Sequence, residues 1–319
     1  MLRSLLIFLS QNRLAQKIVS RWGVAKRVAS RFVAGETVSA AMQAARALNE
    51  AGLLTTLDAL GENTSSWDQA EEAVSEILSL LDAINESQVK ANVSVKLSQF
   101  GLTMDEYRCA DNLERIVKKA AQLGIMIRID MEDSSLTDMT LRVFEQMCLR
   151  GYKNVGVVIQ AYLYRSEADV ARIMEEGGRV RLCKGAYMEP ADVAFPVKQD
   201  VDENYDKLAG IMLSGAVLHG QPPGSDDGRI APIPAFATHD IRRIRFVQSK
   251  ATEMGIPPQA FEFQFLYGIR RDLQDRLVSE GYRVRVYVPY GTQWYPYFMR
   301  RLAERPANLK FFIRSLLGK

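Results

Sequence analysis

Short runs of β-branched and apolar residues recur through the chain, each followed by an amphipathic stretch, and this alternation restricts the fold more than any other feature. The runs are Leu54 to Asp58, Asn92 to Leu97, Met126 to Met131, Val155 to Gln160, Val180 to Lys184, Ala235 to His239, Phe261 to Leu266 and Val284 to Val288. Helical spacing of apolar residues marks Trp67 to Ile84, Asn112 to Gln122, Leu136 to Leu149, Glu167 to Glu175, Asn204 to Leu218, Ile241 to Glu253, Arg271 to Val278 and Tyr297 to Ala303. Strands separated by helices must pair in parallel through right-handed crossovers. Eight such units in a chain of this length predict an α/β protein built as a distorted (β/α)8 TIM-type barrel, since open doubly wound sheets usually have fewer strands. A further helix over Thr37 to Ala51, stopped by Gly52, divides the chain into an N-terminal helical arm (1–52) and a catalytic barrel (53–319).

Barrel enzymes carry their chemistry at the carboxyl ends of the strands. Here those ends read Asp58, Lys96, Asp130, Gln160, Lys184, His239, Gln264 and Tyr287, which predicts a ring of polar groups around one pocket. The long connection from Gly185 to Asp202 follows the fifth strand and belongs on that face, where it would act as a lid. The Gly- and Pro-rich stretch Gln221 to Pro234 precedes a strand and belongs on the opposite face.

Composition removes several classes of function. Lys and Arg number 41 against 38 Asp and Glu, a balance of +3 that gives no case for a nucleic-acid partner. Three separated cysteines form neither a disulfide framework nor a CxxC, and two histidines without HExxH offer no metal centre. Neither GxGxxG, GxxxxGK[ST] nor GxSxG occurs. No run approaches the roughly 20 apolar residues that span a bilayer, and Leu5 to Leu9 is too short for a cleaved signal peptide. The first 31 residues contain seven Lys or Arg and no acid, Glu36 being the first. That pattern is open to three readings: a transit peptide, a basic amphipathic helix on an anionic membrane, or a solvated arm.

Three constellations remain. In Tyr297-Phe298-Met299-Arg300-Arg301-Leu302-Ala303-Glu304, helical spacing sets Tyr297 against Arg301 and Arg300 against Glu304. Two adjacent guanidinium forks suit a substrate carboxylate. In Arg181 to Tyr187, strand alternation puts Arg181 and Cys183 on one face and Lys184 on the other, and Gly185 lets backbone approach an anionic ligand. Lys96 and Asp130, on neighbouring strand ends, suit an ion pair, although Lys96 also has the position of a Schiff-base lysine in a barrel aldolase. His239 reads equally as a ligand contact or as a satisfied strand-end histidine. Tyr287, Tyr290, Trp294, Tyr295 and Tyr297 read together as a wall for a flat ligand.

In order along the chain, Val93 to Ser98, Ile129 to Glu132, Val158 to Tyr162, Arg181 to Tyr187, Phe236 to His239, Phe261 to Gln264, Tyr287 to Gly291 and Tyr297 to Glu304 resemble the proline dehydrogenases, in their monofunctional bacterial form. The resemblance implies an FAD-dependent oxidoreductase that converts L-proline to Δ1-pyrroline-5-carboxylate, the first step of proline catabolism, and passes electrons to a membrane quinone. It implies catalytic roles for Asp130 and Arg181. Lys96, Arg300 and Arg301 would bind the proline carboxylate, Glu304 would orient the arginines, and Leu266, Tyr287 and Tyr297 would pack around the ring. FAD would be contacted by Met131, Gln160, Arg181, Lys184 and Gly185, and further along by Ala186, Tyr187, Thr238 and His239. The implied location is cytoplasmic, with the basic arm making peripheral contact with the inner face of the cytoplasmic membrane. A flavin barrel acting on hydroxyproline is the nearest alternative, and the lysine aldolase is the alternative from another class.

Overall fold

Nearly every second residue in the predicted strands is apolar, and those residues are the ones that meet the helices. The computed structural model describes residues 28–61 and 64–304. Its strands are β1 (Leu54–Ala59), β2 (Ala91–Val95), β3 (Ile127–Ile129), β4 (Val155–Gln160), β5 (Arg179–Cys183), β6 (Pro234–Ala237), β7 (Glu262–Leu266) and β8 (Arg283–Tyr290). They pair in parallel in chain order, and β1 pairs with β8 from Leu54↔Arg285 to Ala59↔Tyr290, closing the barrel. Val93, Val95, Ile127, Ile129, Val157, Leu182, Phe263 and Val286 point outward and are fully buried beneath the surrounding helices. These are α2 (Trp67–Ser87), α3 (Glu106–Gln122), α4 (Thr137–Leu149), α5 (Ser166–Glu175), α6 (Lys198–Leu218), α7 (Ile241–Glu253) and α8 (Arg271–Ser279). The main core is this ring between sheet and helices.

The predicted distortion lies where the barrel closes. α1 (Val38–Glu50), N-capped by the Thr37 hydroxyl, packs on β8, β1 and α2, in the place an eighth crossover helix would take. The helix that follows β8, α9 (Trp294–Glu304), instead lies over the C-terminal mouth. It buries Trp294, Tyr295, Phe298 and Leu302 against Val28, Ala29, Phe32, Val33, Leu60 and Ile269 in a second apolar cluster. Gly268 makes this close approach possible: its φ is +73°, and an added Cβ would lie 1.9 Å from the Arg31 carbonyl oxygen.

The opposite mouth is closed by the Gln221 to Pro234 connection, as expected. Arg285 Nη2 donates to Gly228 O (2.8 Å) and the Met126 amide donates to Arg229 O (3.2 Å). Inside this end, Arg285 also donates to Glu262 Oε1 (2.8 Å) and Thr55 O (2.7 Å), and neither ionic side chain is exposed to solvent. Burial alone would raise the Glu262 pKa, but Arg285 outweighs it and holds the carboxyl below its ordinary value. Breaking such a pair costs far more than the pair contributes, because a bare charge is left in the interior. Glu262→Ala should therefore lower the unfolding free energy by about 3–5 kcal/mol in urea titration. A loss below about 1 kcal/mol would mean that the carbonyls alone satisfy Arg285.

Candidate active site

The inward side chains at the upper end of the barrel are charged, and the sheet's curvature brings them together from distant parts of the chain. Lys96 ends β2; its Nζ donates to Asp58 Oδ1 of β1 (2.9 Å) and lies 3.6 Å from Asp130 Oδ2 and 3.5 Å from the Tyr287 hydroxyl. Asp130, just beyond β3, accepts a hydrogen bond from the Tyr287 hydroxyl (2.6 Å) and forms an ion pair with Arg181 Nη2. Arg181 reaches across the barrel from β5 to Ser94 Oγ (3.3 Å), and its guanidinium lies 5.2 Å from the centre of the Tyr287 ring. The two aspartates respond oppositely to burial. Desolvation dominates at Asp58 and raises its pKa against the pull of Lys96. At Asp130 the same desolvation is outweighed by Arg181, then by Lys96 and the Tyr287 hydroxyl, and the carboxyl is held below its ordinary range. Burial and then the Asp130 charge push the Tyr287 phenol far up, so it acts as a donor.

Above this cluster opens a cavity of about 350 Å³. Its lining includes Lys96, Asp130, Met131, Gln160, Arg181, Lys184, Gly185, Ala186, Tyr187, Thr238, His239, Leu266, Tyr287, Tyr297, Arg300 and Arg301. α9 supplies the last three, with the Arg301 guanidinium 5.1 Å from the centre of the Tyr297 ring, as their spacing predicts. On the far side Lys184 is fixed by Asp202, one turn into α6, and by Asp240 (3.1 Å), which also caps α7. The β5–α6 connection carrying Tyr187 is fastened to the segment after β3, where Glu189 accepts from the Ser134 amide (2.8 Å). The cavity is thus cationic at both ends, with one ionised carboxylate, Asp130, between them.

Comparison with known proteins agrees with this arrangement. The proline dehydrogenase family model matches residues 41–314. The chain belongs to the proline dehydrogenase family. It is 41% identical to proline dehydrogenase 1 of Bacillus subtilis strain 168 over 319 residues, all of both chains. It is 42% identical to the proline dehydrogenase of Deinococcus radiodurans over 91% of this chain and 90% of that one. Among solved structures, proline utilization A from Bdellovibrio bacteriovorus inactivated by N-propargylglycine superposes with a TM-score of 0.78 at 27% identity. That match covers 88% of this chain and 33% of the larger protein. The chain is therefore an oxidoreductase of proline catabolism, in a flavin-dependent family, and the family match begins within the segment read as an N-terminal arm (1–52).

A proline dehydrogenase barrel accounts for the sequence-predicted residues unevenly. The residues assigned to substrate, cofactor or catalysis all line the cavity except Glu304, whose side chain lies outside the described residues, as do residues 1–27 of the basic arm. The predicted ring of strand-end groups is corrected at Asp58, which is buried beneath Lys96 and does not reach the cavity. The expected Lys96–Asp130 pair exists, but Asp58 is the tighter partner of Lys96, and Arg181 occupies Asp130. The five-aromatic wall is corrected: only Tyr287 and Tyr297 reach the cavity, while Tyr290, Trp294 and Tyr295 fill the apolar clusters. Gly185, with φ +112°, is required first by Tyr162, whose ring an added Cβ would strike at 2.4 Å. His239 is satisfied within the protein, Nε2 accepting from the Leu266 amide (3.1 Å), and it also lines the cavity. Gln264, Cys183 and Phe265 also line it and were not singled out as site residues, although Gln264 had the strand-end signal.

The lowered pKa of Asp130 has a stability consequence with a definite sign. Its contribution is present above the ordinary carboxylate value and is lost as pH falls through the lower folded value. The stability gap between wild type and Asp130→Asn should be widest at neutral pH and shrink below pH 3.8, as read by chemical denaturation across pH. A gap independent of pH would mean that the Asp130 pKa is not lowered by folding, and a gap that widens as pH falls would mean that the carboxyl is held neutral.

Proposed function

We propose that this chain oxidises L-proline to Δ1-pyrroline-5-carboxylate with FAD as its cofactor, and that the electrons leave to a quinone. The observation that carries the reading is the distribution of charge in the cavity. Arg300 and Arg301 line the cavity from α9 and Lys96 from the end of β2, Lys184 and Arg181 line it from the β5 segment, and the Arg181 guanidinium reaches across to Asp130, whose other oxygen lies 3.6 Å from Lys96. The first group suits an amino-acid carboxylate and the second an electron-rich, phosphate-bearing cofactor.

The donor set fits a flavin. Gln160 is 3% exposed and donates to Glu132 O (3.2 Å), while its Oε1 has no protein partner, so an acceptor is held ready at the cavity wall. Met131, Gln160, Lys184, Gly185, Ala186, Tyr187, Thr238 and His239 would hold FAD, which when bound supplies the two-electron acceptor for the carbon–hydrogen bond beside the ring nitrogen. Arg181, fixed by Asp130, provides a preorganised positive charge for that half of the site. Arg300, Arg301 and Lys96 orient the substrate by its carboxylate, Glu304 steadies the arginines, and Leu266, Tyr287 and Tyr297 enclose the ring and exclude water. Asp130 keeps Arg181 and the Tyr287 hydroxyl in place. The lysine aldolase reading is disfavoured by the same geometry, because carboxylates at 2.9 and 3.6 Å favour the ammonium form of Lys96, whereas imine formation needs the free amine.

The test is the visible spectrum of the protein before and after anaerobic L-proline. Yellow protein that bleaches is the expected result; protein left colourless after FAD is supplied would overturn the cofactor. Yellow protein untouched by L-proline would move the substrate elsewhere, with hydroxyproline next. In the same assay Arg301→Met should weaken proline binding by about 3 kcal/mol, since a partner is stripped from a buried carboxylate. Arg181→Ala should instead slow flavin reduction more than it weakens binding.

Quinone reduction would bring the protein to a membrane, and among the described residues no helix is long and apolar enough to cross one. The basic arm is the proposed peripheral contact, at the inner face of the cytoplasmic membrane. Removing residues 1–27, which spares the packed Val28–Val33 segment, should abolish binding to anionic liposomes; undiminished binding would exclude the arm.

A further inference from the structure

We propose that Asp58 is a positioning residue for substrate recognition: it holds the Lys96 ammonium charged and directed at the carboxylate end of the cavity. The proposal rests on the reading that Lys96 belongs to the carboxylate clamp. Asp58 does not line the cavity and acts only through Lys96.

Lys96 stands near two aspartates, and their geometry separates their roles. Asp130 Oδ2 is 3.6 Å from Nζ, beyond hydrogen-bond reach, and that carboxylate already serves Arg181 and the Tyr287 hydroxyl. Asp58 Oδ1 accepts directly from Nζ at 2.9 Å. Asp58 sits at the level of Ser94 on β2 and Pro289 on β8, two residues below Lys96, so its pull draws the ammonium toward the floor and fixes the direction of the long side chain.

What makes this more than a core ion pair is its cost. Asp58 is fully buried, and its Oδ2 has no hydrogen-bond partner. A half-satisfied buried carboxylate is among the more expensive groups an interior can hold, and apolar residues in place of the whole Asp58–Lys96 pair would serve stability as well or better. Its one direct cation is Lys96, so the two charges depend on each other. Burial raises the Asp58 pKa and Lys96 opposes it, in keeping with that dependence.

Among the described residues, the groups facing Lys96 include Asp58 from β1, Asp130 from beyond β3, Arg181 from β5 and Tyr287 from β8, with Arg300 and Arg301 of α9 on the cavity lining and Glu76 of α2 behind Asp58. Lys184 and His239 stand on the far side of the cavity, Lys184 held by Asp202 and Asp240. Asp130 is held below the carboxylate range, Tyr287 is pushed far above the phenol range, and arginines do not titrate. Above neutral pH, Lys96 is therefore the facing group whose charge loss would weaken an anionic ligand.

The test uses FAD-loaded enzyme and cyclopentanecarboxylate, a ring carboxylate that cannot be oxidised at a ring nitrogen, titrated by calorimetry from neutral to alkaline pH. Asp58→Asn should move the alkaline loss of binding down by about one pH unit or more, the scale of removing an opposite charge at this distance. Asp58→Glu should restore the wild-type profile, and Lys96→Met should bind weakly throughout and lack that limb. An Asp58→Asn profile coincident with wild type, while Lys96→Met binds weakly, would overturn the proposal and leave the clamp standing. Wild-type binding by Lys96→Met would instead overturn the clamp. A reciprocal measurement does not need Asp58→Asn to fold: at neutral pH, Lys96→Met should show a protonated-carboxyl stretch in the infrared that wild type lacks. Its absence would mean that Asp58 does not depend on Lys96, and would overturn the proposal.

Discussion

A barrel whose inward positions carry charge has to give each charge a partner, backbone carbonyls for Arg128 and an opposite charge elsewhere, and the Asp130–Arg181 pair is where this requirement and the active site coincide. Arg181 crosses the interior from β5 to a carboxylate beyond β3, and Asp130 in turn anchors the Tyr287 hydroxyl of β8. Lys96 of β2 and Asp58 of β1 continue the alternation of sign around the same level. The floor of the cavity is thus a chain of charges, Asp58–Lys96–Asp130–Arg181, in which moving one member exposes its neighbour. Such chains cost stability relative to apolar packing, and the fold offsets that cost with the complete apolar ring outside the sheet. The upper and lower ends use the device differently. Glu262 and Arg285 pair where no ligand reaches, whereas the upper pairs present their free faces to the cavity.

Closure of the mouth follows from a second constraint. The clamp residues Tyr297, Arg300 and Arg301 belong to α9, and a helix packed against the outside of β8 could not bring them over the strand ends. α1 fills that outer place, which frees α9 to lie across the mouth, and the Val28–Val33 segment then covers α9 from the other side. The chain preceding the barrel is in this sense part of the active-site architecture. It occupies a helix position, and through Phe32 and Val33 it supports the element that carries the arginines. The glycine at 268 is the local condition for this, because any side chain there would meet the Arg31 carbonyl.

These features were legible in the sequence to different depths. All the strands could be read, because each is a short β-branched or apolar run set between amphipathic stretches. β3 is shorter than its apolar run, Ile127–Ile129 against Met126 to Met131, since beyond Ile129 the chain turns to present Asp130 and Met131 to the cavity and Glu132 to the Ser98 amide. α6 begins at Lys198 rather than at Asn204 because its first turn is charged and shows no apolar period. Its anchor is tertiary: Asp202 bonds Lys184 and Lys198. The aromatic cluster after β8 misled for the opposite reason, composition suggesting a ligand wall where packing required Trp294 and Tyr295 to bury under the arm. Glu304 was read by spacing alone, and its side chain is outside the described residues.

The partners within the barrel were the least legible, and the reason is geometric. Asp58 and Lys96 are 38 residues apart, Asp130 and Arg181 51, and Lys96 and Tyr287 191. Strand-end position identifies each as a candidate, but which of two aspartates takes a lysine depends on tenths of an ångström set by strand register and curvature. The register supplies the answer here. Asp58 lies level with Ser94, two residues before Lys96 on the adjacent strand, so the lysine reaches back along its own strand to meet it. Asp130 accepts on one oxygen from Arg181 and on the other from Tyr287, leaving Lys96 to the carboxylate below. A charged side chain aimed at a substrate has to be held by something that is not the substrate. In this barrel that support comes from the layer beneath the cavity, where a carboxylate can be committed to one cation without competing for the ligand.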